Sequence, residues 1–481
     1  MLYLFRVSKD QQIAALQAEN QFLKQELAQL KRLIFGAKSE RFVASESDIS
    51  QLNIFADQVV PTEPVVKQEI SYQRSKAKKH PGRHCIPEHF PVEEITLEPE
   101  DKSEGMVKIG EEVSETVEYT PASLIKKRVI RPKYAHPSTE QVLIADLPER
   151  SMPKCMAEPS LIAFILMRKF VEHMPFYRQI AQIERDYRWT VASSTVGNWF
   201  NQACELLDPL YQCLREEVLK SDYLQADESP IKVLDSDKPR ATHQGYQWVY
   251  HSPEQGLVLF DYRKGRGKAG PVKILEEFTG ILQCDGWQVY DKVAKNKPNV
   301  KLAGCLAHVR RKFFEAQKQG FSQADYALKK IKEIYLFQRE AKKVADPQNL
   351  RIEKMLPVLK QLKEWGDQQA ITVLPKSTLG KAMSYFINQY PKLLTIFEDS
   401  RVELDNNLIE NKIRPLALGR KNYLFAGSHP AAQRIAMMYS FFASCKAQGL
   451  NPFEWLKYTL ENVHLAKPSQ LNQYLPRKRE M

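Results

Sequence analysis

Between Gln11 and Phe42 the chain has no proline and spaces its apolar positions in heptads. Ile13, Asn20, Leu27 and Ile34 fall on one core register, and Leu16, Leu23 and Leu30 on the other. The pattern predicts a coiled coil over residues 1–45, with Asn20 fixing the register and favouring two strands. A single amphipathic helix lying on the body of the protein is the alternative. Over residues 46–82 the periodicity dissolves into a linker that ends in Lys76-Ala77-Lys78-Lys79-His80. Short alternating runs follow at Glu94–Leu97, Val107–Ile109, Ser114–Tyr119 and Lys127–Pro132, predicting a small β-rich module over residues 83–150. Residues 151–220 then turn helical. Within them, Arg178–Cys204 reads as two helices parted by Tyr187-Arg188-Trp189-Thr190, the second starting near Ser193 or Ser194. Such a pair is either a DNA-reading helix-turn-helix or an ordinary helical hairpin.

At Asp222 the period changes from helix to strand. Tyr223–Leu234, Tyr246–His251 and Leu257–Tyr262 stand at hairpin spacing. A short helix at Pro271–Phe278, a strand at Ile281–Cys284 and a strand at Lys301–Leu306 that runs into a basic helix complete the series. This order predicts an α/β, ribonuclease-H-like (retroviral-integrase-like) core over residues 221–445. Residues of about 319–400 are nearly all helical and too long for a loop, so they read as a helical insertion. Residues 446–481 read as a C-terminal tail.

Composition narrows the class. The 70 Lys and Arg outnumber the 58 Asp and Glu, for a net charge of +12, and 43% of residues are hydrophobic. That excludes a mainly disordered or fibrous chain. The apolar run Leu161–Met167 is too short to span a bilayer, and Met1–Phe5 is too short for a secretory signal. Seven cysteines without regular spacing suit reduced thiols and a cytoplasmic setting, with no membrane partner. The basic balance favours nucleic acid as the partner.

Asp227 lies in an otherwise apolar strand, and Asp285 directly follows another. If those strands are neighbours, two carboxylates converge where a divalent cation with oxygen ligands would neutralise them. The alternative makes each a strand-end turn residue, with Asp285-Gly286 a good turn dipeptide. Farther on, Asp405 is a candidate N-cap for a short helix that carries Glu410, with Ile409 and Ile413 on its apolar face. Glu410 also stands four residues before Arg414, the spacing of a surface ion pair. From Asn411 to Phe453 the chain holds Lys412, Arg414, Arg420, Lys421, Arg434 and Lys446 and no acid, as a phosphate-contacting surface would. The glycine-rich Lys264–Gly270 lacks the spacing and terminal Lys-Ser/Thr of a nucleotide-binding phosphate loop.

These segments resemble the transposases of the insertion sequence 66 family, which use a DDE triad. The motifs are ADESP around Asp227, LQCDGWQVY around Asp285, AGCLAHVRRKFFEA around Cys305 and His308, and DNNLIENKIRPLALGRKNYLFAGS around Glu410. RLIFGAKSERF, GEEVSETVEY, RPKYA and VEHMPFYRQIAQIE also fit, in the same order along nearly the whole chain. The resemblance implies that Asp227, Asp285 and Glu410 are catalytic carboxylates binding Mg²⁺, with Mn²⁺ a substitute. It implies supporting roles for Cys305 and His308. Arg310, Arg311, Lys312, Lys412, Arg414, Arg420 and Lys421 would bind DNA. The implied partners are the element's ends, target DNA, further copies of the chain in a dimer or larger assembly on DNA, and small accessory proteins of the same element. The implied setting is bacterial and nucleoid-associated.

The sequence departs from the family in one place. Many members carry two Cys-x-x-Cys pairs in the segment matching Ser103–Thr139, and here that segment holds no cysteine. Zinc is therefore not expected, and the module reads as a degenerate zinc ribbon. Two rival functions keep parts of this picture: a ribonuclease-H-fold nuclease, and a catalytically idle DNA-binding protein derived from a transposase. The heptads generate a direct test. Deleting residues 1–45 is expected to weaken self-association while leaving a folded core, as read by light scattering; a full-length chain that stays monomeric alone and on DNA ends contradicts it.

Overall fold

The computed structural model describes residues 123–130, 133–135, 142–144, 149–153, 155–234, 242–295 and 297–478. The expected coiled coil and linker, and most of the β-rich module, lie outside these residues. Within the described part of that module, 123–130 has no regular structure, so the strand expected at Lys127–Pro132 is displaced. Strands β1 (Lys133–Ala135) and β2 (Val142–Ile144) pair antiparallel instead.

Three helices come next: α1 (Pro159–Phe170), α2 (Phe176–Tyr187) and α3 (Ser193–Leu219). Pro159 opens α1 at a position where its missing N–H costs nothing. Arg188 ends α2 in the left-handed conformation, and Ala192 precedes α3 with no side-chain cap. Ser193 is thus the first residue of the helix and not its cap. The helical region is not a separate body. Leu207, Leu210, Leu214 and Val218 of α3 are fully buried in one hydrophobic cluster with the strands that follow.

Those strands are β3 (Tyr223–Leu234), β4 (Thr242–Ser252), β5 (Leu257–Arg263), β6 (Gly280–Gln283) and β7 (Val300–Ala303). They form a mixed sheet in the order β5-β4-β3-β6-β7. The first three are antiparallel neighbours, while β6 and β7 join β3's other side in parallel. Helix α4 (Ala269–Ile274) crosses over between β5 and β6, and is shorter than the helix expected at Pro271–Phe278. Helix α5 (Gln288–Ala294) makes the crossover from β6 to β7. Gly280 begins β6 at φ +120°, and a Cβ there would lie 2.1 Å from the Asp222 carbonyl oxygen. Only glycine fits that approach.

After β7 comes α6 (Leu306–Lys318), then the helical insertion: α7 (Ala324–Ala341), α8 (Pro347–Leu350), a π-helical turn at Arg351–Met355, α9 (Leu356–Thr372) and α10 (Thr378–Leu393). These pack into a second apolar cluster around Ile331, Leu362 and Phe386. Buried Arg351 donates to Gln338 at 3.0 Å and to the Ser400 carbonyl at 3.0 Å, so its charge is not left bare. The chain returns to the sheet with α11 (Asn407–Tyr423), α12 (His429–Gln448) and α13 (Pro452–Asn462). Residues beyond 446 are no tail: Leu456 and Leu460, at i, i+4 on α13, and Val463 and Leu475 past its end are buried in the sheet's own cluster. No helix among the described residues is long and apolar enough to cross a membrane.

Both rims of the sheet are covered. On β5, the outward N–H groups of Val258 and Phe260 donate to Ser444 Oγ at 2.9 Å and Ser440 Oγ at 2.8 Å, both on α12. On β7, Leu302 accepts from Thr395 Oγ1 at 2.9 Å, and Gly304 N just beyond it donates to the Lys392 carbonyl at 3.0 Å. A buried cation strains the core between α1 and α11. Lys169 lies 3.9 Å from the centre of the Phe176 ring and 5.5 Å from that of Tyr423, and burial pulls its amine down to about 8. The unfolded amine holds its proton to higher pH, so stability rises as pH climbs from about 8 toward the ordinary lysine value. Lys169→Met is expected to stabilise the fold at pH 7 by on the order of 2 kcal/mol, and the gain should shrink by pH 10. Thermal unfolding at both pH values checks this; an unchanged gain contradicts it.

Candidate active site

Residues 223–225 of β3 pair with β6, but the later part of that edge has no strand beside it. Helix α11 and the turn after it occupy the gap. Asn406 Nδ2 donates to the Ala226 carbonyl at 3.3 Å. Arg420 donates to Ser229 Oγ at 2.8 Å and to the Pro230 carbonyl at 2.6 Å, and Ala426 exchanges backbone bonds with Lys232 and Leu234. The divergence of β3 from β6 therefore opens beside Asp227, and the helix carrying Glu410 lies along it.

The spacing of α11 from the sheet is set by a buried network. Gln225 and Gln283 are register partners on β3 and β6, and both are fully buried. Gln283 Oε1 accepts from Gln225 Nε2 at 2.9 Å and from the Tyr223 hydroxyl at 2.7 Å. Its amide donates to the carbonyls of Gly304 at 3.1 Å and Glu403 at 2.6 Å. Tyr223 in turn accepts from Glu403 N at 3.1 Å, and Gln225 Oε1 accepts from Ile409 N at 3.2 Å. The backbone on both sides of the α11 start is thus tied to two strands. Each glutamine stands two residues before an aspartate: Asp227 shares Gln225's face of β3 by the period-2 rule, whereas Asp285 lies in the turn just past the end of β6.

Asp227 keeps a little solvent contact but is densely surrounded by protein. Burial pushes its carboxyl well above the ordinary value; the charge of Glu228 adds to this, and those of Asp285 and Glu410 act in the same direction. Glu228 N donates to Asp227 Oδ1 at 2.8 Å and opposes the shift. Asp285 also fills the turn role its dipeptide suggested, with Oδ1 accepting from Trp287 N at 3.0 Å. Gly286 is required here, because a Cβ would lie 2.7 Å from the Tyr385 ring of α10.

Cys305 is buried, and its sulfur bonds to His308 Nδ1 at 3.2 Å and to Asn406 N at 3.3 Å. It thus links the start of α6 to the start of α11. Burial pushes the Cys305 thiol up to about 12, so it stays protonated. The other face of His308 brings Nε2 within 4.0 Å of Glu410 Oε1. Burial, with help from Arg311, holds the imidazole below its ordinary value. Asp405 is not the cap of α11: Asn406 occupies that position, while Asp405 accepts from Asn407 N at 3.0 Å and from the Tyr335 hydroxyl at 2.9 Å. Glu403 points to Lys342, at 2.8 Å.

The expected cationic residues divide by environment. Arg310, Arg414 and Lys421 are exposed, while Arg311 and Lys312 are half-buried on α6. Lys412 is half-buried, and its amine is lowered by burial and then by Lys446. Arg420 is spent in part on β3.

All-oxygen donors of this kind suit a hard divalent cation. Among the described residues, however, no group of three or more His, Cys, Asp or Glu side chains is arranged to hold a metal ion. The acids converge closely enough to raise Asp227 without closing into a complete ligand set. Sequence reasoning missed the glutamines, although the signal was present: Leu224-Gln225-Ala226-Asp227 and Leu282-Gln283-Cys284-Asp285 repeat one pattern on two strands.

Residues 154–434 match the model of the IS66 transposase family, residues 22–95 that of the transposase C of IS166 homeodomain, and residues 440–476 that of the IS66 C-terminal element. The chain belongs to the IS66 transposase family. Among its relatives are two uncharacterized proteins of Sinorhizobium fredii (strain NBRC 101917 / NGR234). One, y4jD, is 32% identical over 92% of this chain and 91% of its own length. The other, y4qI, is 29% identical over 93% of this chain and 87% of its own.

The glutamine network yields a prediction. Gln283→Leu leaves several buried groups unpaired and is expected to cost about 2–4 kcal/mol. The Gln225→Leu/Gln283→Leu double variant should lose less than the sum of the singles. Denaturant unfolding checks both, and strict additivity contradicts the network.

Proposed function

We propose that the chain is a DDE transposase that cuts and joins DNA at the ends of an insertion sequence, on a ribonuclease-H-like core. The observation that carries this is electrostatic: acids from β3, the end of β6 and α11 converge, so that Asp285 and Glu410 both raise Asp227. The strand order β5-β4-β3-β6-β7, with three antiparallel strands followed by two parallel ones, supports the core assignment.

Asp227, Asp285 and Glu410 would hold the divalent ions, Mg²⁺ by preference. Ions held there would supply Lewis-acid chemistry for a displacement at phosphorus. Water attacks first, breaking the P–O3′ bond and freeing a 3′-hydroxyl; that hydroxyl then attacks a phosphodiester of the target, again displacing a 3′-oxygen. No covalent enzyme intermediate forms. His308, held by Cys305 and kept neutral by burial, orients Glu410 without adding a charge of its own. Exposed Arg310, Arg414 and Lys421 hold flanking phosphates, with Arg311 and Lys312 behind them. Copies of the chain would assemble on the paired ends.

Glu410→Gln, Asp227→Asn and Asp285→Asn are each expected to abolish Mg²⁺-dependent cleavage and joining while retaining DNA binding, because phosphate contacts by other residues supply most of the affinity. Glu403→Gln should stay active, since its partner is Lys342. Assays on labelled element ends, intact and precleaved, decide the matter. Hydrolysis without joining identifies a nuclease, and binding without either reaction identifies an idle DNA-binding protein. An active Glu410→Gln beside an inactive Glu403→Gln would overturn the triad.

A further inference from the structure

The loop between β5 and α4, Lys264-Gly265-Arg266-Gly267-Lys268, is exposed along its whole length. Its glycines are not demanded by the fold. Neither has a positive φ. A Cβ on Gly267 would meet nothing within 4 Å, and one on Gly265 would meet only the Gly267 nitrogen at 3.9 Å. What glycine provides here is a bare backbone that a ligand can approach closely.

Arg266, at the centre of the loop, is nonetheless fixed. Its Nε donates to Glu228 Oε1 at 2.8 Å, and the Glu228 side chain is only 4% exposed. The guanidinium carbon lies 4.2 Å above the ring of Trp287. Trp287 itself stacks on buried Trp248, with centroids 5.4 Å apart and planes at 17°. Glu228 directly follows Asp227 within β3, and Trp287 is two residues past Asp285 in the turn after β6, so the clamp is built beside both aspartates. Half of the Arg266 side chain still faces solvent, with exposed Lys264 and Lys268 on either side. Glu228, and Asp285 at longer range, offset the guanidinium, while the exposed Lys264 and Lys268 add positive charge on either side of it. A planar guanidinium held by an ion pair and a stacked ring loses little entropy on binding a phosphate.

We propose that residues 264–268 form a phosphate-binding loop for the DNA strand running beside the Asp227–Asp285 end of the sheet, with Arg266 as its preorganised ligand. This rests on the transposase reading and adds a strand-binding subsite to it. The phosphate of a free nucleoside triphosphate has the same chemistry, so the test separates the two sources.

The test uses the full chain, a short fluorescein-labelled duplex of mixed sequence and a series of salt concentrations. Lys264→Gln/Lys268→Gln changes only exposed side chains, so folding should be unaffected, as thermal unfolding will show. Each lost phosphate contact is expected to flatten the slope of log affinity against log salt by about 0.9. Arg266→Lys, which keeps the charge but loses the planar fork, should weaken binding with little change in slope. An unsubstituted slope and affinity in both variants would overturn the loop while leaving the transposase reading intact. Failure of the unsubstituted chain to bind the duplex counts against the reading itself. If ATP displaces the duplex from the unsubstituted chain but not from the double variant, the loop holds a free nucleotide and the DNA assignment is wrong.

Discussion

The hydrogen bond between Gln225 and Gln283 is the constraint on which the site depends. Two fully buried amides facing each other across a parallel strand pair are costly to leave unpaired, and here protein groups satisfy them. Their remaining donors and acceptors reach Tyr223 and the backbone of Gly304, Glu403 and Ile409. The cost of leaving any of them unpaired fixes where α11 begins, and hence where Glu410 projects. The aspartates follow because Asp227 sits two residues farther along β3 and Asp285 opens the turn two residues past the last residue of β6.

This arrangement lets a helix that arrives 125 residues after Asp285 in sequence meet the sheet with little freedom. The insertion between them packs in a second apolar cluster that also takes in Tyr223 of β3 and Ala303 of β7. It also contributes at the boundary: Tyr335 of α7 holds Asp405, and the Tyr385 hydroxyl of α10 accepts from the Gly286 N–H at 3.2 Å. Cys305 and His308 add a second tie, in which a protonated thiol serves as a hydrogen-bonding spacer.

Strand positions were legible in the sequence because β3, β4 and β5 are apolar runs bounded by polar turns. The helical insertion was legible from its length and the absence of strand signals. Boundaries moved where tertiary pairing overrode local pattern: β4 extends back to Thr242 because β3 offers ten residues to pair with. The segment past 446 looked like a tail because Trp455, Leu456 and Leu460 are separated by Lys457 and Tyr458, and only packing reveals which face is buried. Asp405 was misread as a cap since sequence cannot tell an aspartate that ends a loop from one that starts a helix. The meeting of Asp227 and Asp285 was legible on the condition that their strands are neighbours, which the β3–β6 pairing meets, whereas the approach of Glu410 came from the resemblance alone, because it depends on the sheet edge left open beyond Gln225.

The covered rims of the sheet bear on what would happen were several copies to gather on one stretch of DNA. A free strand edge is a template for any neighbouring chain, and crowding at a shared site multiplies the chance of unwanted pairing. Here Ser440 and Ser444 occupy the β5 edge, and the end of the insertion occupies β7. Among the described residues, the five-stranded sheet therefore offers a neighbouring chain little ladder to extend, and the two serines that complete the fold on the β5 side also blunt that edge.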